Sequence, residues 1–128
     1  MVVRYDYLWS REAAAGRTHG KDRPACIVVA TSDPIASRFV VLLPITHAAP
    51  RDPDVAVEIP AAVRRAIGLD EERAWIVVSE HNVDEWPTPG LVPVPGAPDR
   101  YHYGHIPPAL FAQVKARFIA LAEAARVL

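Results

Sequence analysis

The chain has 128 residues, 51% hydrophobic and 23% charged, with a formal net charge of −1. That balance fits one globular domain, residues 1–128, able to bury a core without metal or disulfide staples. It argues against a membrane protein, because no run approaches the roughly 20 apolar residues of a span, and against a disulfide scaffold, because Cys26 stands alone.

In chain order, Val2 to Trp9 alternates loosely and is rich in Val, Tyr and Trp, which predicts a strand. Arg4 interrupts the amino terminus, which does not read as a signal peptide. With a single cysteine buried in an apolar run, the cytoplasm is the expected compartment. Residues 10–22 are small, polar and glycine-bearing and predict a mobile loop, with at most one helical turn over Arg11 to Ala15. Strands are expected at about 24–31 and 37–46, joined by the turn-like Ser32-Asp33-Pro34. A short strand follows at Val55 to Ile59. Pro60 then suits the first turn of a helix, and Gly68 suits its left-handed cap with Leu69 as the contact after it. Trp75 to Val83 reads as one more strand. Five prolines in residues 87–98 predict a stiff surface loop. Tyr101 to Ile106 is a last short strand, and Pro107-Pro108 opens a final helix. In that helix Phe111, Val114, Phe118, Leu121 and Ala125 form an apolar stripe, with Lys115, Arg117 and Arg126 largely off it. Short strands with one terminal helix predict a mainly β domain, a small, partly open barrel.

Charge is unevenly spread. Residues 1–48 carry +2, residues 49–90 carry −5 and residues 91–128 carry +2, so an anion site is expected in the first and last thirds. Antiparallel pairing of the two central strands brings the start of one beside the end of the other. Arg23 and Thr46 then meet at one end of the sheet. An arginine fork beside a hydroxyl on rigid strands suits a phosphate. The plain alternatives are a surface ion pair for Arg23 and a turn-forming hydroxyl for Thr46. None of the five histidines forms a pair at zinc-ligand spacing, so a metal site is not expected.

Lys21-Asp22-Arg23-Pro24 entering a valine-rich strand, and Pro44-Ile45-Thr46-His47 ending the next, resemble the PemK/MazF toxin family. The later order is similar too: Trp75-Ile76-Val77-Val78, then Ser79 to Trp86, then Tyr103-Gly104-His105-Ile106-Pro107-Pro108 before the last helix. The likeness spans about the whole chain. It implies an SH3-like barrel of about five to seven strands with a C-terminal helix and one short internal helix. It also implies the toxin of a type II toxin–antitoxin system, a growth inhibitor that cuts single-stranded RNA without metal or cofactor. The products would be a 2′,3′-cyclic phosphate and a 5′-hydroxyl. Implied partners are the RNA, a second copy in a homodimer, and a cognate antitoxin that supplies DNA binding to the complex.

Carried over from the family, Arg23 and Thr46 are the catalytic pair. The segment Ser79 to Glu85 departs from the family pattern and holds no arginine. Glu80 could replace the missing acid, and His81 or His19 could supply a base near neutral pH. Asn82 could hydrogen-bond an unstacked base. Arg11, Arg17 and Lys21 would contact the RNA backbone, and Trp9 and Trp86 could stack bases. Two other readings remain. One is a protein-binding toxin like the gyrase poisons, disfavoured because no tryptophan follows Trp86. The other is a relative that binds RNA and no longer cleaves it.

Overall fold

The computed structural model describes residues 1–17, 20–31, 39–70, 72–85, 88 and 90–127. The fold is mainly β: a seven-stranded, partly open sheet with a long C-terminal helix and a short internal helix. The strands are β1 (Val2–Tyr7), β2 (Lys21–Thr31), β3 (Phe39–Thr46), β4 (Ala56–Ile59), β5 (Ala74–Val77), β6 (Asn82–Glu85) and β7 (His102–Gly104). The helices are α1 (Ser10–Ala14), α2 (Ala61–Ala66) and α3 (Pro108–Val127). A 3₁₀ turn, Pro53–Val55, leads into β4. The sheet runs β4-β5-β3-β2-β1-β7, and β6 also pairs with β3.

The apolar runs of β2 and β3 are central because both faces of these strands are covered. On one face Cys26, Val28, Leu43 and Ile45 join Ile59, Ile76 and Val114 in the larger core. On the other, Ala25, Ile27, Val40 and Leu42 pack with Val3, Tyr5, Tyr7 and Trp9. The two strands are antiparallel from Ala25↔Pro44 to Thr31↔Phe39, with a register shift between Ile27 and Val29.

In α3, Val114 is fully buried and Phe111, Phe118 and Leu121 pack against the larger core. Burying a valine of this kind contributes about 1.5–3 kcal/mol. Arg117 is nearer the sheet than the stripe implied. Its Nη1 donates to the Pro53 and Ala56 carbonyls at 3.2 and 3.4 Å, so the guanidinium pins α3 to the start of β4. The end of α2 follows the expected chemistry. Gly68 has φ +74°, the Gly68 N–H donates to the Arg65 carbonyl, and the Leu69 N–H donates to the Arg64 carbonyl. Arg64 itself is buried, donating to the Ile59 carbonyl at 2.8 Å.

Two expectations are corrected. The strand expected over 75–83 is two strands, β5 and β6. β5 pairs with Ile45 and Thr46, and β6 pairs with Phe39 to Leu42. The two pairings follow one another along the same edge of β3 but are offset by three residues, so the chain leaves the ladder between Val77 and Asn82. The loop expected over 10–22 is also shorter. Residues 10–14 are helical, and β2 already begins at Lys21, paired with Tyr7. At Gly20 an added Cβ would overlap the Tyr7 carbonyl, so only glycine lets the chain pass β1 this closely.

Candidate functional site

Arg23 lies in β2, opposite Tyr5 of β1. Thr46 ends β3, opposite Trp75 of β5. The β2–β3 ladder runs out at Ala25↔Pro44. The same register carried two residues further would set Arg23 against Thr46. Side chains alternate along a strand, so Arg23 shares a face with Ala25 and Ile27, and Thr46 shares it with Pro44 and Leu42. That is the face of the smaller core, which holds Tyr7 and Trp9.

Trp9 organises this end of the face. The Arg23 guanidinium carbon is 5.3 Å from the centre of the indole ring, and that of Arg11 is 4.8 Å from it. A ring quadrupole attracts both cations and offsets their mutual repulsion. Tyr7 meets Trp9 edge to face at 5.5 Å. Burial holds the Arg23 guanidinium below its ordinary pKa; Glu12 opposes that shift and Arg11 adds to it. Burial also raises Tyr7, with Glu80 adding to the rise and Arg23 opposing it. The Tyr7 Oη and Trp9 Nε1 atoms are buried and make no hydrogen bond among the described residues. This is a polar-lined, partly dehydrated place in which a cation acts strongly on charge.

The segment carrying Trp9 and Arg11 is braced by residues 80–82. The Asn82 amide grips Leu8 at both backbone groups: its Oδ1 accepts from the N–H at 3.0 Å and its Nδ2 donates to the carbonyl at 2.9 Å. Glu80 Oε2 accepts from the Ser10 N–H at 2.8 Å and its hydroxyl at 2.6 Å. Glu12 accepts from the Trp9 N–H at 3.3 Å and from Arg17 at 2.8 Å, closing the first turn of α1. The positional role of Asn82 and Glu80 was not legible in the sequence, because their partners at Leu8 and Ser10 are 70 or more residues away.

The remaining site residues divide clearly. Arg17 is paired with Glu12 and more than half exposed. His81 meets Phe118 of α3 edge to face, 5.3 Å between centres, which turns it toward the helix. Thr46 Oγ1 accepts from the Ala48 N–H at 3.1 Å. Its own O–H proton therefore remains a donor. Lys21 pairs with Tyr7 through its backbone. His19 and Trp86 lie outside the described residues. Cys26 is fully buried, and burial pushes its thiol up to about 11, which keeps it protonated and unreactive at neutral pH.

Among the described residues no group of three His, Cys, Asp or Glu side chains is placed to hold a metal ion. No described helix is long and apolar enough to cross a membrane. No family model matches this chain, and no curated protein or solved structure matches it either.

Proposed function

We propose that the chain is a growth-inhibiting toxin that cuts single-stranded RNA, acting as a homodimer restrained by a cognate antitoxin in the cytoplasm. One observation carries this reading: Arg11 and Arg23 share the Trp9 ring at the end of the sheet where β2 enters and β3 ends at Thr46. Two guanidinium groups and a hydroxyl donor there would serve one phosphodiester.

The reaction needs no group beyond the chain and its substrate. The ribose 2′-oxygen loses its proton and attacks the adjacent phosphorus. The bond to the 5′-oxygen breaks, leaving a cyclic phosphate, and the leaving oxygen takes a proton. Arg23 grips two phosphoryl oxygens through its planar fork, and the Thr46 O–H donates to one of them. Charge developing on those oxygens is stabilised more in the transition state than in the ground state. Glu80 is the proton acceptor in this scheme: Ser10 occupies its Oε2, and its Oε1 takes no part in those bonds. His19 is the second candidate for proton transfer.

The engagement of Asn82 and Glu80 with backbone favours one other reading, a relative that binds RNA without cutting it. Incubating the purified protein with a defined RNA, with and without chelator, and analysing fragment ends separates the two. Fragments with 5′-hydroxyl ends in chelator support cleavage. Bound but intact RNA supports the second reading, and cleavage that requires added magnesium overturns the mechanism.

A further inference from the structure

Behind the ends of β2 and β3, on the face opposite Arg23 and Thr46, lies a cavity of about 300 Å³. Pro24 and Ile45 line it, each joined by one peptide bond to Arg23 or Thr46. Side chains alternate, so the same two strand ends present the phosphate-facing pair on one face and this cavity on the other. Its polar groups are few and convergent. Arg4 of β1 donates through Nη1 to the Tyr103 hydroxyl at 3.3 Å and has further N–H groups to offer. At the rim, His47 and Asp70 form a fixed pair. His47 Nδ1 is 2.9 Å from the Arg73 carbonyl and Nε2 is 3.0 Å from Asp70 Oδ2. Only the doubly protonated ring can donate to both. The carbonyl contact with Arg73 and the nearby Asp70 and Glu72 carboxylates accordingly raise its pKa, against the opposing effect of burial.

We propose that this cavity receives a guanine base of single-stranded RNA that passes round the ends of β2 and β3. The proposal rests on the RNA-directed reading of the site at Arg23 and Thr46. The volume is ample for one purine base. Ile45 and Val94 supply apolar walls for a flat ring. Arg4 presents the fork that matches the O6 and N7 acceptors of guanine. The Asp70 carboxylate accepts from its N1–H and N2–H groups. Adenine lacks the O6 acceptor and the N1 donor, and leaves Arg4 and Asp70 incompletely paired. Arg4 is half-buried and Asp70 is exposed, so the preference comes from the hydrogen bonds that guanine makes and adenine cannot.

The test uses the intact protein and two pentanucleotides with 2′-fluoro sugars throughout, which cannot react: five adenines, and the same chain with guanine at the centre. The guanine pentamer is expected to bind about tenfold more tightly or better. Asp70 is 60% exposed at its side chain, so Asp70→Asn should leave the protein folded by circular dichroism while bringing the two affinities together. Tyr103→Phe, which frees Arg4 from its hydroxyl partner, should retain the preference. Equal affinities in the parent, or a preference that survives Asp70→Asn, overturn the proposal. Guanosine monophosphate binding as tightly as the pentamer also overturns it, by making the cavity a free-nucleotide site. Because the pentamers are inert, base preference without cleavage of the ribose form counts against the proposed reaction and leaves the pocket standing.

Discussion

The Arg23 guanidinium sits over the Trp9 indole, its central carbon 5.3 Å from the ring centre, and this contact joins the entry of β2 to the segment leaving β1. Arg11, on the next turn of that segment, is twelve positions before Arg23 in the chain, yet both cations use the same ring. The indole is 7% exposed, so it serves as a wall that positions charge rather than as an open platform for bases.

Arg23→Ala and Thr46→Ala should each lower RNA cleavage, by about 10²–10³ for the loss of a group that stabilises developing charge. Arg23→Lys should recover little of it, because an ammonium lacks the two-pronged fork. Trp9→Phe keeps a ring in place and should lower cleavage less than Arg23→Ala. Single-turnover rates on a fixed RNA, with folding checked by circular dichroism, measure this. Parental rates in both alanine variants would remove the site assignment.

Asn82→Ala should cost about 1–3 kcal/mol of stability, the penalty for leaving partly buried backbone groups at Leu8 without partners. The urea midpoint is the readout. A variant with parental stability and weakened RNA binding would show instead that the amide works on the nucleic acid.

Stability should decline at both ends of the accessible pH range, for opposite reasons. Burial alone would raise Asp84, but hydrogen bonds from Thr88, Tyr5 and the Glu85 N–H outweigh it and lower its pKa from 3.8. A lowered carboxylate stabilises above its unfolded value, and that contribution is lost as pH falls through the folded value. The decline therefore lies below about pH 4. His47 is shifted the other way, upward from 6.5. A raised imidazole stabilises fully below 6.5, and its contribution is lost as pH rises through the folded value. Urea midpoints measured across pH should lose the acid limb in Asp84→Asn and the upper limb in His47→Asn. Unchanged pH profiles would contradict the assignments.

Val83 of the edge strand β6 is 56% exposed and faces the same side as half-buried Val41, its partner across the ladder. An apolar residue on an exposed strand edge favours association with a second copy. Light scattering should give about twice the monomer mass of 14.0 kDa. Val83→Lys should lower it toward one, since a buried charge without a partner opposes a dimer. A monomer at micromolar concentration in the parent would sink the homodimer.

Local chemistry made much of the architecture legible from the residues alone. Apolar runs flanked by Pro and Asp mark the β2–β3 pair, Pro60 and Gly68 bracket α2, and the spacing of Phe111, Val114, Phe118 and Leu121 marks the buried face of α3. Each of these signals lies within a few residues of the feature it specifies. The sequence likewise indicated which ends of β2 and β3 meet, because antiparallel pairing of adjacent runs fixes it, and the ladder closes at Ala25↔Pro44. What only the tertiary structure decided involves partners far apart in the chain. The break between β5 and β6 follows from a three-residue offset between two pairings along one edge of β3. The use of Asn82 and Glu80 as braces for Leu8 and Ser10, and the meeting of Arg4, His47, Asp70 and Tyr103 around one cavity, depend on contacts that no local pattern encodes. Hydrogen bonds to a distant backbone leave no periodicity and no composition bias, so the same side chains read equally well as ligands, bases or surface residues until the fold sets their partners.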